Sequence, residues 1–175
     1  MMVDYMDIVL LIIEALIFIF PAYCANAAPV LAGGGLAMDF GKNFIDRKRI
    51  FGNNKTFRGF FFGLAIGVAV GLIEWMLFNE WMLFNYPPLL SLLTPLGALL
   101  GDLTAAFLKR RLGIAPGGLL PIVDQIDFVI GAIIFALPLA IIGWELAVAV
   151  LLITPPIHLL TNIGAYKLKL KKNPW

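Results

Sequence analysis

"PLLSLLTPLGALLGDLTAAFLKRR", residues 88–111, is the stretch on which the fold turns. From Pro88 to Leu108 it carries one charge, Asp102, over about the 20 residues a helix needs to cross a bilayer core, and it closes on Lys109, Arg110 and Arg111. An apolar run of that length ending in cations reads as a membrane span whose end lies at a water-facing boundary.

Four further apolar stretches extend outward from it, near Ile8 to Val30, Phe57 to Phe78, Ile122 to Ile142 and Leu146 to Tyr166. The 175 residues are 61% hydrophobic and 14% charged, outside the range of water-soluble domains. The expectation is an all-α, polytopic integral membrane protein of the cell membrane, one domain over residues 1–175 with about five transmembrane helices. The first stretch lacks a basic leader and runs on into a Gly-rich segment, so it reads as a span and not as a cleaved signal.

Every Lys and Arg falls in one of three places. They are Lys42 to Arg58 (with Arg47, Lys48, Arg49 and Lys55), Lys109 to Arg111, and the tail Lys167, Lys169, Lys171 and Lys172. Five spans put all three on one side of the membrane. The one-sided cations predict that side to be cytoplasmic, with loops at about 39–56 and 109–121 and the C-terminus there, and the N-terminus outside with Asp4 and Asp7. Glu80 and Glu145 fall in the opposite loops.

Cys24 and His158 are each the single residue of their kind, which argues against disulfides, thiol catalysis and a His-rich metal site. Carboxylates, cations, amides and backbone remain. In the first span "PAYCANAAPVLAGGG", residues 21–35, predicts a kink at its prolines and close backbone approach through its small residues, with Glu14 and Asn26 as polar exceptions. "EWMLFNEWMLFN", residues 74–85, doubles a hexapeptide; it reads as an outer loop whose Trp75 and Trp81, with Tyr86, suit an interfacial belt. Pro155, Pro156 and His158 predict a bent last span ending in a basic anchor.

Asp102 stands seven residues before Lys109, on one helix face and about 10 Å away along the axis. An aspartate within a span costs about 2.5–3.5 kcal/mol at the centre, so it should face a wet cavity, a bound cation or an ion-pair partner on a neighbouring span. Pro116, Gly117 and Gly118 then break the chain, Pro121 suits the first turn of the fourth span, and Asp124 and Asp127 occupy one face of its entry. These two carboxylates either complement the helix dipole or, with Asp102, hold a hard divalent cation shared with phosphates. "FGNNKTFRGF", residues 51–60, lacks the glycine spacing of a P-loop. Its Asn54, Lys55, Thr56 and Arg58 suit phosphate oxygens, in a ligand or in lipid headgroups.

The segment "GDLTAAFLKRRLGIAPGGLLPIVDQID", residues 101–127, resembles the signature of the CDP-diacylglycerol synthase superfamily of integral-membrane cytidylyltransferases. "PAYCANAAP", "FGNNKTFRGF" and the whole-chain length resemble its short archaeal branch, CDP-archaeol synthase. The resemblance implies a single transmembrane cytidylyltransferase domain that couples CTP, with Mg²⁺, to a prenylated ether lipid phosphate, digeranylgeranylglyceryl phosphate, in membrane phospholipid biosynthesis. It implies Asp102, Asp124 and Asp127 as catalytic metal ligands, Lys109 and Arg110 as the signature basic pair, and Lys55 and Thr56 as the upstream Lys-Thr. Asn54, Arg58 and Gly117 join the expected nucleotide-binding set. The partners implied are CTP, the lipid phosphate and the bilayer, with no nucleic acid. Ala106 replaces a usual Ser, Leu119-Leu120-Pro121 replaces a bacterial His-Gly-Gly, and Gln125 replaces an Arg; the last two fit the archaeal branch. A small membrane transporter or channel subunit is the alternative reading, although five unlike spans show no repeated halves.

Overall fold

The computed structural model describes residues 5–78, 80, 86–139 and 142–170. The helices are α1 (Tyr5–Ala27), α2 (Pro29–Ala32), α3 (Phe57–Phe78), α4 (Leu90–Arg111), α5 (Val123–Ala136) and α6 (Trp144–Lys167), with no strand among the described residues. Among the described residues, four helical segments are by length and composition long and apolar enough to cross a membrane: Asp7–Ala32, Phe57–Phe78, Leu90–Arg111 and Trp144–Lys167. The molecule is a multi-pass membrane protein.

Lipid tails are as apolar as leucine, so spans are held together by close packing and hydrogen bonds more than by escape from water. The chain meets that need with glycine. Gly59, Gly63, Gly67 and Gly71 recur every four residues of α3 and are all buried, which lines them along one face. A methyl group on Gly67 would come within 2.6 Å of Pro95 on α4 and 2.8 Å of Ala25 on α1, and one on Gly71 within 2.8 Å of Ser91. The other side of α3, with Phe61, Phe62, Ile66 and Ile73, is exposed and faces lipid. α4 is the most enclosed of the four long helices. Its Leu90 and Ala98 join Phe18, Ile19 and Ala22 of α1, Phe128, Val129, Ala132 and Ala136 of α5, and Val150 of α6 in one buried cluster.

Within the first span the chain steps from α1 to α2 at Ala28, ahead of Pro29, whereas Pro21 lies inside α1. The fourth expected span, near Ile122 to Ile142, is helical over only part of its length. α5 has 14 residues, about 21 Å at 1.5 Å per residue, so the rest of a crossing of about 30 Å falls to the apolar chain that flanks it. The apolar run continues past it, but Pro138 has no N–H to donate to the preceding turn. The last helical hydrogen bond is Leu137 N to the Ile133 carbonyl, and the chain then tightens, Leu139 N donating to the Ala136 carbonyl. Pro121 does not lie in the helix's first turn either: it precedes a γ-turn at Ile122 (φ 67°), with Val123 N donating 2.8 Å to its carbonyl.

The hexapeptide doubling is not wholly a loop. Its first copy closes α3, with Glu74 buried and Trp75 packed on the core. Within the second copy, Trp81 to Asn85 lie outside the described residues, as do Asp4, Lys171 and Lys172. In α6, Thr154 meets Tyr23 of α1, oxygen to oxygen at 2.8 Å, and His158 lies against Asn162 and the ring of Phe128.

Candidate active site

The site is assembled where α4 meets α5. The two helices approach to backbone contact: a methyl on Gly101 would collide with the Asp127 carbonyl, and one on Gly131 with the Gly97 carbonyl. That approach brings the Asp102 end of α4 beside the Asp127 turn of α5. Lys55, arriving from the loop before α3, places Nζ 2.5 Å from Asp102 Oδ2. Asp127 Oδ1 accepts from the N–H of Phe128 at 2.6 Å, and its carboxylate lies within the fields of Asp102, Asp124 and Lys55.

Asp102 and Lys109 share a helix as expected but pair elsewhere. Lys109 Nζ donates to both oxygens of Asp124, at 2.9 and 2.8 Å. Asp124 Oδ2 also accepts from Leu120 N at 2.9 Å, which ties the γ-turn to the helix start. The three consecutive cations of α4 thus take three tasks. Lys109 turns to α5. Arg110 is buried, donates through one terminal nitrogen to the Ala115 carbonyl at 3.1 Å, and leaves Nε and its other terminal nitrogen without a hydrogen-bond partner. Arg111 binds the opposite loop: it donates to the carbonyls of Lys48 and Arg49, pairs with Asp46 at 2.9 Å, and its guanidinium carbon stands 5.1 and 4.6 Å from the ring centres of Phe44 and Phe107.

That opposite loop, residues 33–56, is a folded unit organised by Asp39, which the sequence reading did not single out. Its side chain is 0% exposed. It accepts from the N–H groups of Gly41, Phe51 and Gly52 at 3.0, 3.1 and 2.8 Å and from Arg49 at 3.1 and 2.5 Å. Burial alone would raise its pKa, but the Arg49 guanidinium and three backbone donors outweigh burial and hold it well below the usual carboxylate range. Met38 N donates 2.8 Å to the Lys55 carbonyl, so the loop around the carboxylate is tied at its start to the segment that delivers Lys55. An acid two residues before a glycine, upstream of a basic run, was the only hint.

The other expected nucleotide residues are placed as follows. Thr56 is buried and its hydroxyl accepts from Gly59 N at 3.2 Å, capping α3. Asn54 stands opposite Gly117, where a methyl group would lie 3.8 Å from its amide nitrogen. Gly52 meets Pro116 at 3.1 Å and Arg110 at 3.6 Å on the same measure. The loop before α3 and the loop after α4 therefore close over Arg110. Arg58 is exposed in the first turn of α3.

An aspartate oxygen set of this kind suits Mg²⁺, which takes hard oxygen donors and shares them with phosphates. Among the described residues, no three carboxylate, imidazole or thiol groups converge as a finished metal cage. Asp102 and Asp124 are instead neutralised by lysine, and Asp127 lies between them without an ion-pair partner among the described residues. The donor chemistry fits the ion provided the lysines turn aside.

The CarS-like CDP-archaeol synthase family model matches residues 8–175. The chain belongs to the CDP-archaeol synthase family. A CDP-archaeol synthase of Methanococcus aeolicus is 43% identical over 97% of this chain and 100% of that relative, and one of Pyrococcus furiosus 44% identical over 94% and 98%. A solved intramembrane enzyme for archaeal membrane lipids biosynthesis superposes with a TM-score of 0.79 at 37% identity, covering 87% of this chain and 94% of that one. Membership in this family gives no support to the transporter reading. The family likeness runs through both loops and α5, so the short α5 and the Lys55, Lys109 and Arg110 positions belong to the matched region.

Proposed function

We propose that this chain joins CTP to a prenylated ether lipid phosphate, digeranylgeranylglyceryl phosphate, releasing pyrophosphate and leaving CDP-archaeol in the membrane. The observation that carries the reading is Arg110, a buried guanidinium with two unanswered nitrogens under the junction of two loops. A buried donor without a partner costs about 1–3 kcal/mol, more when charged. A phosphate oxygen is the acceptor that best answers a guanidinium fork.

The lipid phosphate needs no general base. Its second ionisation, near pH 6 if it follows a phosphorylated side chain, leaves an oxygen anion free to attack the α-phosphorus of CTP. The new bond joins that oxygen to phosphorus; the bond to the bridging oxygen of the β-phosphate breaks, and its electrons leave with pyrophosphate. The protein's task is to gather two polyanions and stabilise the charge on the leaving group. Lys55 and Lys109 exchange their aspartates for phosphate oxygens, Arg110 takes the oxygen beneath the loops, and Asn54, Arg58 and the turn at Gly117 border the nucleotide. Asp102 and Asp124, freed of lysine, and Asp127 are the residues that would hold Mg²⁺, which when bound supplies Lewis-acid polarisation of the phosphoryl oxygens. The site lies at the cytoplasmic end of the bundle, with the N-terminus outside, so CTP arrives from water while the prenyl chains stay in lipid.

The test is a reconstituted assay with α-labelled CTP, digeranylgeranylglyceryl phosphate and Mg²⁺. Label should pass to the lipid fraction, pyrophosphate should appear in equal amount, and EDTA should stop both. Absence of labelled lipid from correctly inserted protein would refute the proposal; label transfer undiminished by EDTA would remove the metal from it.

A further inference from the structure

We propose that the hairpin at residues 42–49 is a membrane-interface foot, with Ile45 seated at the edge of the acyl region and Lys42 and Arg47 among anionic headgroups. The hairpin is a defined object. Asn43 and Arg49 form an antiparallel bridge, Phe44 N donates 2.8 Å to the Lys48 carbonyl, Arg47 N donates 2.9 Å to the Phe44 carbonyl, and Arg47 takes a left-handed φ of 62° at the turn.

Its depth follows from its contacts with α4. Phe44 packs edge-on against Phe107 with ring centres 5.2 Å apart, Arg111 lies over both rings, and Asp46 holds Arg111. Phe107 and Arg111 are one turn apart, about 6 Å along the axis, and Arg111 ends a helix of membrane-spanning length. The tip therefore lies level with the last turn of a span, at the boundary between hydrocarbon and headgroups.

At that level its composition fits an interface. Ile45 is 91% exposed, and Phe44, Leu108 near the end of α4 and Leu112 just after it are exposed as well. An isoleucine held out on a rigid turn has no reason in water, whereas an interface buries such a side chain about 5–10 Å into the headgroup and acyl boundary. Lys42 and Arg47 are exposed and have no ion-pair partner among the described residues; cations so placed are drawn to anionic lipid. Lys48, by contrast, is used in tying the hairpin to the Arg111 carbonyl at 2.9 Å. The loop that delivers Lys55 is thereby referenced to the membrane surface at one edge and to α4 at another.

The single cysteine makes the test clean. In Cys24→Ala protein carrying Ile45→Cys, a nitroxide spin label is read by power saturation in vesicles of phosphatidylcholine and phosphatidylglycerol. The expected result is collision with apolar oxygen in excess of collision with a water-soluble nickel chelate, with the order reversed for a label at Arg47→Cys. A label at position 45 that collides freely with the nickel chelate places the tip in water and overturns the proposal. A label immobilised and shielded from both reagents places it against a protein surface, a second copy or a partner, and overturns it equally. The readout is independent of catalysis, so an inactive preparation still decides the question.

Discussion

Replacing Asp39 by alanine would dismantle the loop that carries Lys55 while leaving the helical bundle standing. The substitution orphans the N–H groups of Gly41, Phe51 and Gly52 and the Arg49 guanidinium. The Gly52 bond is buried, so its donor stands to lose about 1–3 kcal/mol in full. The other donors are part-exposed, and Arg49 is 28% exposed, so water recovers some of their loss. About 3–5 kcal/mol is the expected total, the range for breaking one partner out of a buried pair. Trypsin reads it directly, because Arg47, Lys48 and Arg49 lie in the loop and cleavage tracks the open population when opening is fast. The cleavage rate should rise about 10²- to 10⁴-fold at 1.36 kcal/mol per tenfold, and KM for CTP should rise as Lys55 loses its placement. Asp39→Asn keeps volume and one acceptor and should fall between the two. Acid acts in the same direction. The folded carboxylate lies below its ordinary value near 4, so its stabilisation is complete above that value and is lost as pH falls below it toward the folded pKa. Unchanged trypsin resistance in a properly inserted Asp39→Ala protein would refute the argument.

Three other outcomes are expected. Gly131→Ala, whose methyl meets the Gly97 carbonyl, should lower thermal stability in detergent by about 1–3 kcal/mol or prevent insertion, whereas Gly164→Ala, with nothing within 4 Å, should gain about 0.5–1 kcal/mol. Asp124→Asn or Asp127→Asn should insert normally yet lose orders of magnitude in label transfer to lipid; survival of near-native, Mg²⁺-dependent transfer would return these acids to helix-dipole duty, worth about 0.3–1 kcal/mol. A cysteine placed at Lys169 in Cys24→Ala protein should resist impermeant maleimide in intact cells, and labelling from outside would invert the proposed topology.

The spans were largely legible because a bilayer imposes length and composition on any helix that crosses it. α3 begins and ends where the apolar run does, at Phe57 and Phe78, its start fixed by the Thr56 cap. α5 was not legible to its end, because the apolar run hides the hydrogen bond that Pro138 cannot make. The acids and cations of the site were legible as residue types, but their pairing was not. Asp102 and Lys109 invite pairing along one helix, yet each found its partner on another element, since a lysine from a loop reaches Asp102 where the helix's own lysine, seven residues on, does not. The Asp39 loop escaped notice because its order comes from backbone donors, which every sequence possesses and none displays.

The paired acids also explain how the site can stand in the membrane without ligand. Three cations, Lys55, Lys109 and Arg110, face three acids, Asp102, Asp124 and Asp127, so the cluster is formally neutral although it lies at the rim of a low-dielectric layer. An isolated aspartate there would carry a penalty that rises to about 2.5–3.5 kcal/mol at the centre of a span; two of the three acids are answered within 2.8 Å. The unanswered pair is Asp127 and Arg110, and they are not joined to each other: one lies between the acids on α5, the other under the Gly52 and Pro116 junction. That separation leaves one site short of a cation and another short of an anion within the same cluster. A metal-bound nucleotide phosphate brings both signs at once, and in the proposed reaction this is what favours the lysines' release from their aspartates.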